Sequence, residues 1–183
     1  HQINVGQGSS TLIEAFSDNC STREYAMLID AGLQKAATTI NNYLDNANVT
    51  ALDAIVATHY DQDHYGGFVG TAMHEGGVVR RNGVAAKLKL DGGIVYDLGF
   101  RGNVGDGTTL GQYQELMSVL EGFFPIFRTT PLPGNFIELY NGPNYSIRYH
   151  IIAANGVVAG PEGTVEFPNP NDNQLSIVGV IQF

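Results

Sequence analysis

His59, Asp61, Asp63 and His64 gather two imidazoles and two carboxylates within the stretch Thr58-His59-Tyr60-Asp61-Gln62-Asp63-His64, directly after an apolar run. Carboxylates this close repel one another unless a cation neutralises them. Imidazole with carboxylate is a donor set for zinc, and manganese or iron accept it too. His59 and Asp61 are two apart, so an extended or looped backbone points both to one side, where they can chelate one ion. Asp63 and His64 are adjacent, so a turn must redirect one of them, which favours a second, neighbouring ion over a single four-ligand site. Two ions about 3.5–4 Å apart deprotonate a shared water near neutral pH, the chemistry of metal-dependent hydrolysis through a bridging hydroxide. Gly66-Gly67 follows; a small pair lets backbone pass close to the ions and lets the next helix start unobstructed.

Leu33, Ala36, Ala37, Ile40, Tyr43, Leu44 and Ala47 recur at helical spacing, and Leu52 to Ala57 is a short apolar run. Helix followed by buried strand predicts an α/β fold, with the candidate ligands at the carboxyl end of a strand. Upstream, His1 to Val5, Leu12 to Phe16 and Tyr25 to Ile29 read as strands of an antiparallel meander. Downstream, Gly66-Gly67-Phe68-Val69 leads into a short helix reaching Met73 or His74. Val78-Val79, Ala85 to Leu90 and Ile94 to Leu98 read as strands. Gln112 to Leu120 reads as a helix with Tyr113, Leu116, Met117 and Leu120 inward. Phe136 to Tyr140, Tyr145 to Ala154 and Leu175 to Phe183 are further strands, and Gly160 to Asn173 is a turn-rich loop. No repeat or linker divides the chain.

With 183 residues, 43% of them hydrophobic, the chain can bury one substantial core, and 23 glycines suit short strands joined by tight turns. Nine basic against eighteen acidic residues give a formal charge of -9, which disfavours long nucleic acid and favours a small-molecule substrate. Arg80-Arg81, Lys87 and Lys89 are the only local concentration of positive charge, and a solvated hairpin face explains them as well as an anion site does. Phe123-Phe124, Phe127 and Tyr113 serve either a core or an apolar pocket wall. No apolar run approaches the roughly 20 residues that cross a bilayer, so no membrane partner is expected. Cys20 is the single cysteine and forms no internal disulfide. The compartment is open, with a secreted or periplasmic location favoured over a cytoplasmic one.

The His59 to His64 segment resembles the metal-binding motif of the metallo-β-lactamase superfamily, in the variant with aspartate, here Asp61, in place of the second histidine. Ile3-Asn4-Val5-Gly6-Gln7-Gly8 and Leu28-Ile29-Asp30-Ala31-Gly32 are similar to opening signatures of one branch. That branch includes the hydrolase domain of bacterial DNA-uptake proteins and the phosphorylcholine esterases. Tyr96 to Gly99, Ala153 to Gly156 and Asn171 to Ile177 are similar to looser family patterns.

The resemblance implies a four-layer αββα sandwich, of which this chain supplies the first half and the start of the second. It implies that His59 and Asp61 bind one ion, that Asp63 and His64 bind the other, and that Asp30 stands behind them as a supporting carboxylate. Asp63 would also take or steer the proton of the attacking water. The substrate implied is a phosphodiester or phosphate ester, with a lactone, ester or β-lactam as the alternative, or a non-catalytic metal-binding module. The family's bridging aspartate and later histidine do not occur before Phe183, so residues 1–183 read as a single incomplete metallo-hydrolase domain. A second polypeptide or a missing carboxyl-terminal segment would complete it. Ser9 stands where this branch commonly has an aspartate.

Overall fold

The computed structural model describes residues 1–75, 78–99, 107–123, 125–168 and 172–183. Two five-stranded sheets dominate it. In the first, β1 (Thr11–Phe16) pairs antiparallel with β2 (Arg23–Ile29). Next come β3 (Ala54–Val56), β6 (Ile94–Tyr96) and β7 (Phe127–Thr129), all parallel to β2. The hairpin of β4 (Ala72–Glu75) and β5 (Val78–Arg81) stands apart. Each residue of β3 is fully buried, as expected of a central parallel strand covered on both faces. Every parallel strand therefore ends at one edge, and that edge carries Asp30 after β2, Thr58 and His59 after β3, and Asp97 after β6.

Helices supply the cover. A 3₁₀ turn at Gln34–Ala36 runs into α1 (Ala37–Asn46), which buries Ala37, Ile40 and Leu44 on the face that the apolar spacing predicts. α2 (Gln62–Val69) packs against α1 and against α3 (Gly107–Phe123), whose Tyr113 and Met117 are fully buried. No described helix is long and apolar enough to cross a membrane.

In the second sheet β9 (Ser146–Ala154) is central. His150 pairs with Phe136 of β8 (Phe136–Asn141) on one edge and with Val180 of β12 (Val178–Gln182) on the other. β10 (Val157–Gly160) and β11 (Gly163–Glu166) extend it as a hairpin. β8 lies against β1 and β2, and the Tyr140 hydroxyl donates to the Asp18 carboxylate at 2.7 Å, which joins the two sheets. Ile177 N–H donates to the Thr58 carbonyl at 2.9 Å, a second tie close to the candidate ligands.

Several expectations are corrected. His1 to Val5 is not a strand; it contributes one bridge, Gln2 to Thr11. Ala85 to Leu90 is not a strand either, because Val84–Lys87 winds as a 3₁₀ turn and Leu88 makes only a bridge to Leu52. Helix α2 starts at Gln62, before the glycine pair, and ends at Val69, so Met73 and His74 belong to β4. Part of the expected 160–173 loop is the β10–β11 hairpin. Residues 169–171 of that loop lie outside the described residues, as does Phe124.

Candidate metal centre

Three sequence segments meet at the amino end of α2. Ser9 N–H reaches the Asp63 carbonyl at 3.3 Å, Ala31 N–H donates to the His64 carbonyl at 2.6 Å, and Gly32 N–H donates to the Ser9 carbonyl at 2.9 Å. Gly67 N–H donates to the Gly32 carbonyl, also at 2.9 Å. The Gly6-to-Ser9 loop, the Asp30-to-Gly32 loop and the His59-to-His64 segment are thus stitched together by backbone. Two glycines permit the approach: a Cβ on Gly8 would lie 1.7 Å from the Asp63 carbonyl oxygen, and one on Gly67 would lie 2.0 Å from that of Ala31. Gly67 accordingly serves helix packing from inside α2, rather than clearing a path in front of it.

Asp30 is the hub behind the site. Its backbone is left-handed, with φ 56°, which aspartate tolerates better than most residues. The buried carboxylate accepts Thr58 N–H at 2.9 Å on Oδ1, and the Thr58 hydroxyl at 2.8 Å and His64 Nδ1 at 2.7 Å on Oδ2. A carboxylate only accepts, so His64 Nδ1 carries the hydrogen and the other ring nitrogen is left for a ligand. Burial pulls the His64 pKa down, but the hydrogen bond and charge of Asp30, with Asp63 and Asp61 nearby, outweigh it and raise it above the ordinary histidine value.

His59 follows β3 and is buried. Its Nδ1 lies 3.1 Å from the Thr58 hydroxyl and 3.1 Å from the Ser176 hydroxyl. Its Nε2 is 3.3 Å from Asp61 Oδ2 and makes no hydrogen bond among the described residues. Burial, and then the neighbouring His64, push the His59 pKa down, which favours the neutral ring over the charged one. The two histidine rings lie against each other, 4.0 Å between centroids and 47° between planes. Asp61 occupies the N-cap position of α2 but its side chain does not cap the helix; it turns toward His59 instead. Asp63 sits in the first helical turn, where the helix dipole favours its negative charge.

The structure therefore brings His59, Asp61, His64 and Asp30 together, with Asp63 beside His64 in the first turn of α2. By type, two imidazoles with carboxylates fit a divalent cation, and the buried Nε2 of His59 without a hydrogen bond is the kind of atom a cation satisfies. Among the described residues, however, no three histidine, cysteine, aspartate or glutamate side chains are grouped to hold one ion. The donors are present without being closed around one point.

A family model described as the metallo-beta-lactamase superfamily matches residues 3–138. The chain belongs to the metallo-β-lactamase superfamily. Membership in this metallo-β-lactamase superfamily accounts for the α/β sheet and for ligand-type residues at its carboxyl edge, and it makes the chain one of a generally metal-dependent hydrolase group. No curated protein and no solved structure gives a match to the chain.

Outside the centre, three of the four clustered basic residues have partners, and Arg80 is exposed on β5. Lys87 pairs with Asp45 at 2.6 Å, Lys89 pairs with Asp53, and Arg81 reaches the Gly70 carbonyl. His74 is exposed in β4, and His150 stacks on Phe136, 5.5 Å between centroids. Tyr113 is core, and Phe127 is exposed. Sequence reasoning gave no role to Thr58, Ser176 or the pair of buried Asp97 with half-buried Arg128, 2.6 Å apart. For Ser176 a signal existed: a lone hydroxyl between two apolar residues, Leu175 and Ile177, that are both buried.

Proposed function

We propose that this chain carries the metal-binding half of a divalent-metal-dependent hydrolase acting on a phosphodiester or phosphate ester. One observation carries the reading: a buried imidazole nitrogen, His59 Nε2, without a hydrogen bond, faces a carboxylate that has declined its capping position to stand beside it. His59 and Asp61 would hold one ion, and Asp63 with His64 the second, zinc being favoured by the donor set and manganese or iron accepted. Such ions, when bound, supply Lewis-acid polarisation and a water acidic enough to attack at neutral pH. Asp30 orients His64 through Nδ1, Thr58 ties Asp30 to His59, and Asp63 accepts the proton of the attacking water. The phosphoester preference rests on the resemblance of the Ile3-to-Gly8 and Leu28-to-Gly32 segments to one branch. The formal charge of -9 supports a small substrate over long nucleic acid.

The same proposal includes completion of the site, and of a four-layer αββα sandwich, by a further polypeptide segment supplying a bridging carboxylate. Support comes from the second sheet, where Phe136, Val178, Val180 and Ile181 are exposed and Arg148 Nε and His150 Nε2 are buried with no hydrogen bond among the described residues. The alternative reading is a non-catalytic metal-binding module, in which the same donors hold an ion without turnover.

Diester, lactone and β-lactam substrates assayed after zinc or manganese loading separate these readings. Diester turnover lost in Asp63→Ala is expected. Turnover confined to lactone or β-lactam contradicts the phosphoester preference, and metal uptake without any turnover favours the binding module.

A further inference from the structure

Ser176 reaches His59 from the second sheet, across the interface between the two halves of the fold. Its neighbours Leu175 and Ile177 are 3% and 2% exposed, Asn155 N–H donates to the Leu175 carbonyl at 2.8 Å, and Ile177 N–H donates to the Thr58 carbonyl. The hydroxyl is held against the ring by that packing, at 3.1 Å from Nδ1.

The second hydroxyl at Nδ1, that of Thr58, has spent its only proton on Asp30 Oδ2 at 2.8 Å. Toward the ring it can only accept, which requires hydrogen on Nδ1 and a lone pair on Nε2. A lone pair on Nε2 beside the Asp61 carboxylate at 3.3 Å is repulsive unless a cation lies between them. Without a cation, a hydrogen on Nε2 removes that repulsion, and Nδ1 then needs a donor. Ser176 is the one hydroxyl at this nitrogen that can serve in both states.

We infer that Ser176 is a positioning residue for the metal centre, donating to His59 Nδ1 when the ring hydrogen is on Nε2 and accepting from Nδ1–H when Nε2 holds an ion. The inference rests on the metal reading of the site. The two states differ by one ring hydrogen, on Nε2 in the first and on Nδ1 in the second. Docking of the 175–177 segment thereby couples the second sheet to metal affinity in the first.

Zinc affinity is measured on the full chain by competition with a chromophoric chelator for wild type, Ser176→Ala and Ser176→Thr, with the His59 tautomer read from long-range nitrogen–proton NMR correlations. Removing such a supporting partner lowers affinity about 10–100-fold, and that loss is expected in Ser176→Ala with an unchanged melting temperature and recovery in Ser176→Thr. Wild-type His59 is expected as the Nε2–H tautomer before zinc and as Nδ1–H after it. Undiminished zinc affinity in Ser176→Ala, or one tautomer with and without zinc, overturns the role of Ser176 while leaving the metal reading intact. A wild-type chain that takes up no zinc overturns both.

Discussion

Asp30 Oδ2 accepts a hydrogen bond from His64 Nδ1 at 2.7 Å while the same oxygen takes the Thr58 hydroxyl at 2.8 Å. One buried carboxylate thus fixes a candidate ligand and the residue preceding another. Asp30→Ala leaves Thr58 N–H and His64 Nδ1 without their acceptor. Chemical denaturation is expected to show a loss of about 3 kcal/mol, and zinc titration an affinity about 10–100-fold weaker. An unchanged denaturation midpoint would remove Asp30 from this role.

The close approach of Gly8 to Asp63 makes an unequal pair of glycine substitutions. Gly8→Ala drives a methyl into the Asp63 carbonyl and is expected to cost at least about 2 kcal/mol. Gly6 has a similar backbone, φ 79°, but open space around it, so Gly6→Ala should cost only about 1 kcal/mol. Equal melting temperatures for the two variants would show that the Gly6-to-Ser9 loop does not pack on the ligand segment.

The local periodicities were the legible part of the fold. Ile40 and Leu44 lie on the predicted helical face, and β3, Ala54–Val56, falls within the buried strand read from Leu52 to Ala57. The start of α2 was missed because Gly66-Gly67 weakens helix propensity by up to about 1 kcal/mol per residue. Packing of that pair on Ala31 and Gly32 offsets the loss, and packing is not written in local sequence. Ala85 to Leu90 has strand-like composition, yet nothing but Leu88 finds a ladder partner. The cluster of His59, Asp61, Asp63 and His64 was visible as a candidate because its four residues are neighbours in sequence. Ser176 was not, since 117 residues separate it from His59 and only the second sheet brings them together.

Buried Asp97 pairs with half-buried Arg128, whose Nε and guanidinium NH2 group donate to Asp97 Oδ2 at 2.9 and 2.6 Å. Arg128→Ala strands the Asp97 carboxylate and is expected to cost about 3 kcal/mol by urea denaturation. Adding Asp97→Asn should recover part of that loss, because no buried charge remains. A double variant less stable than the single would contradict the pairing.

Alkaline pH should destabilise the fold through buried tyrosines. Burial raises the pKa of Tyr25, Tyr60 and Tyr113 above the ordinary value, and burial first, then Asp30, pushes Tyr149 up to about 12. An acid whose folded pKa is raised contributes stability that is complete below the unfolded value, about 10, and is lost as pH climbs toward the folded one. Urea midpoints are expected to fall between about pH 10 and 12, by up to about 1.4 kcal/mol per pH unit for each such tyrosine. Tyr149→Phe should flatten part of that fall. A midpoint that does not move over this range would mean that these hydroxyls are not shielded from water.

The most direct measurement is the metal content of the full chain after zinc loading and exhaustive buffer exchange, compared with that of a His59→Ala, His64→Ala double variant. At least one zinc per wild-type chain, lost in the double variant, is the expected result. A wild-type chain that retains no zinc, or a double variant that retains as much as wild type, would contradict a metal centre at His59, Asp61 and His64.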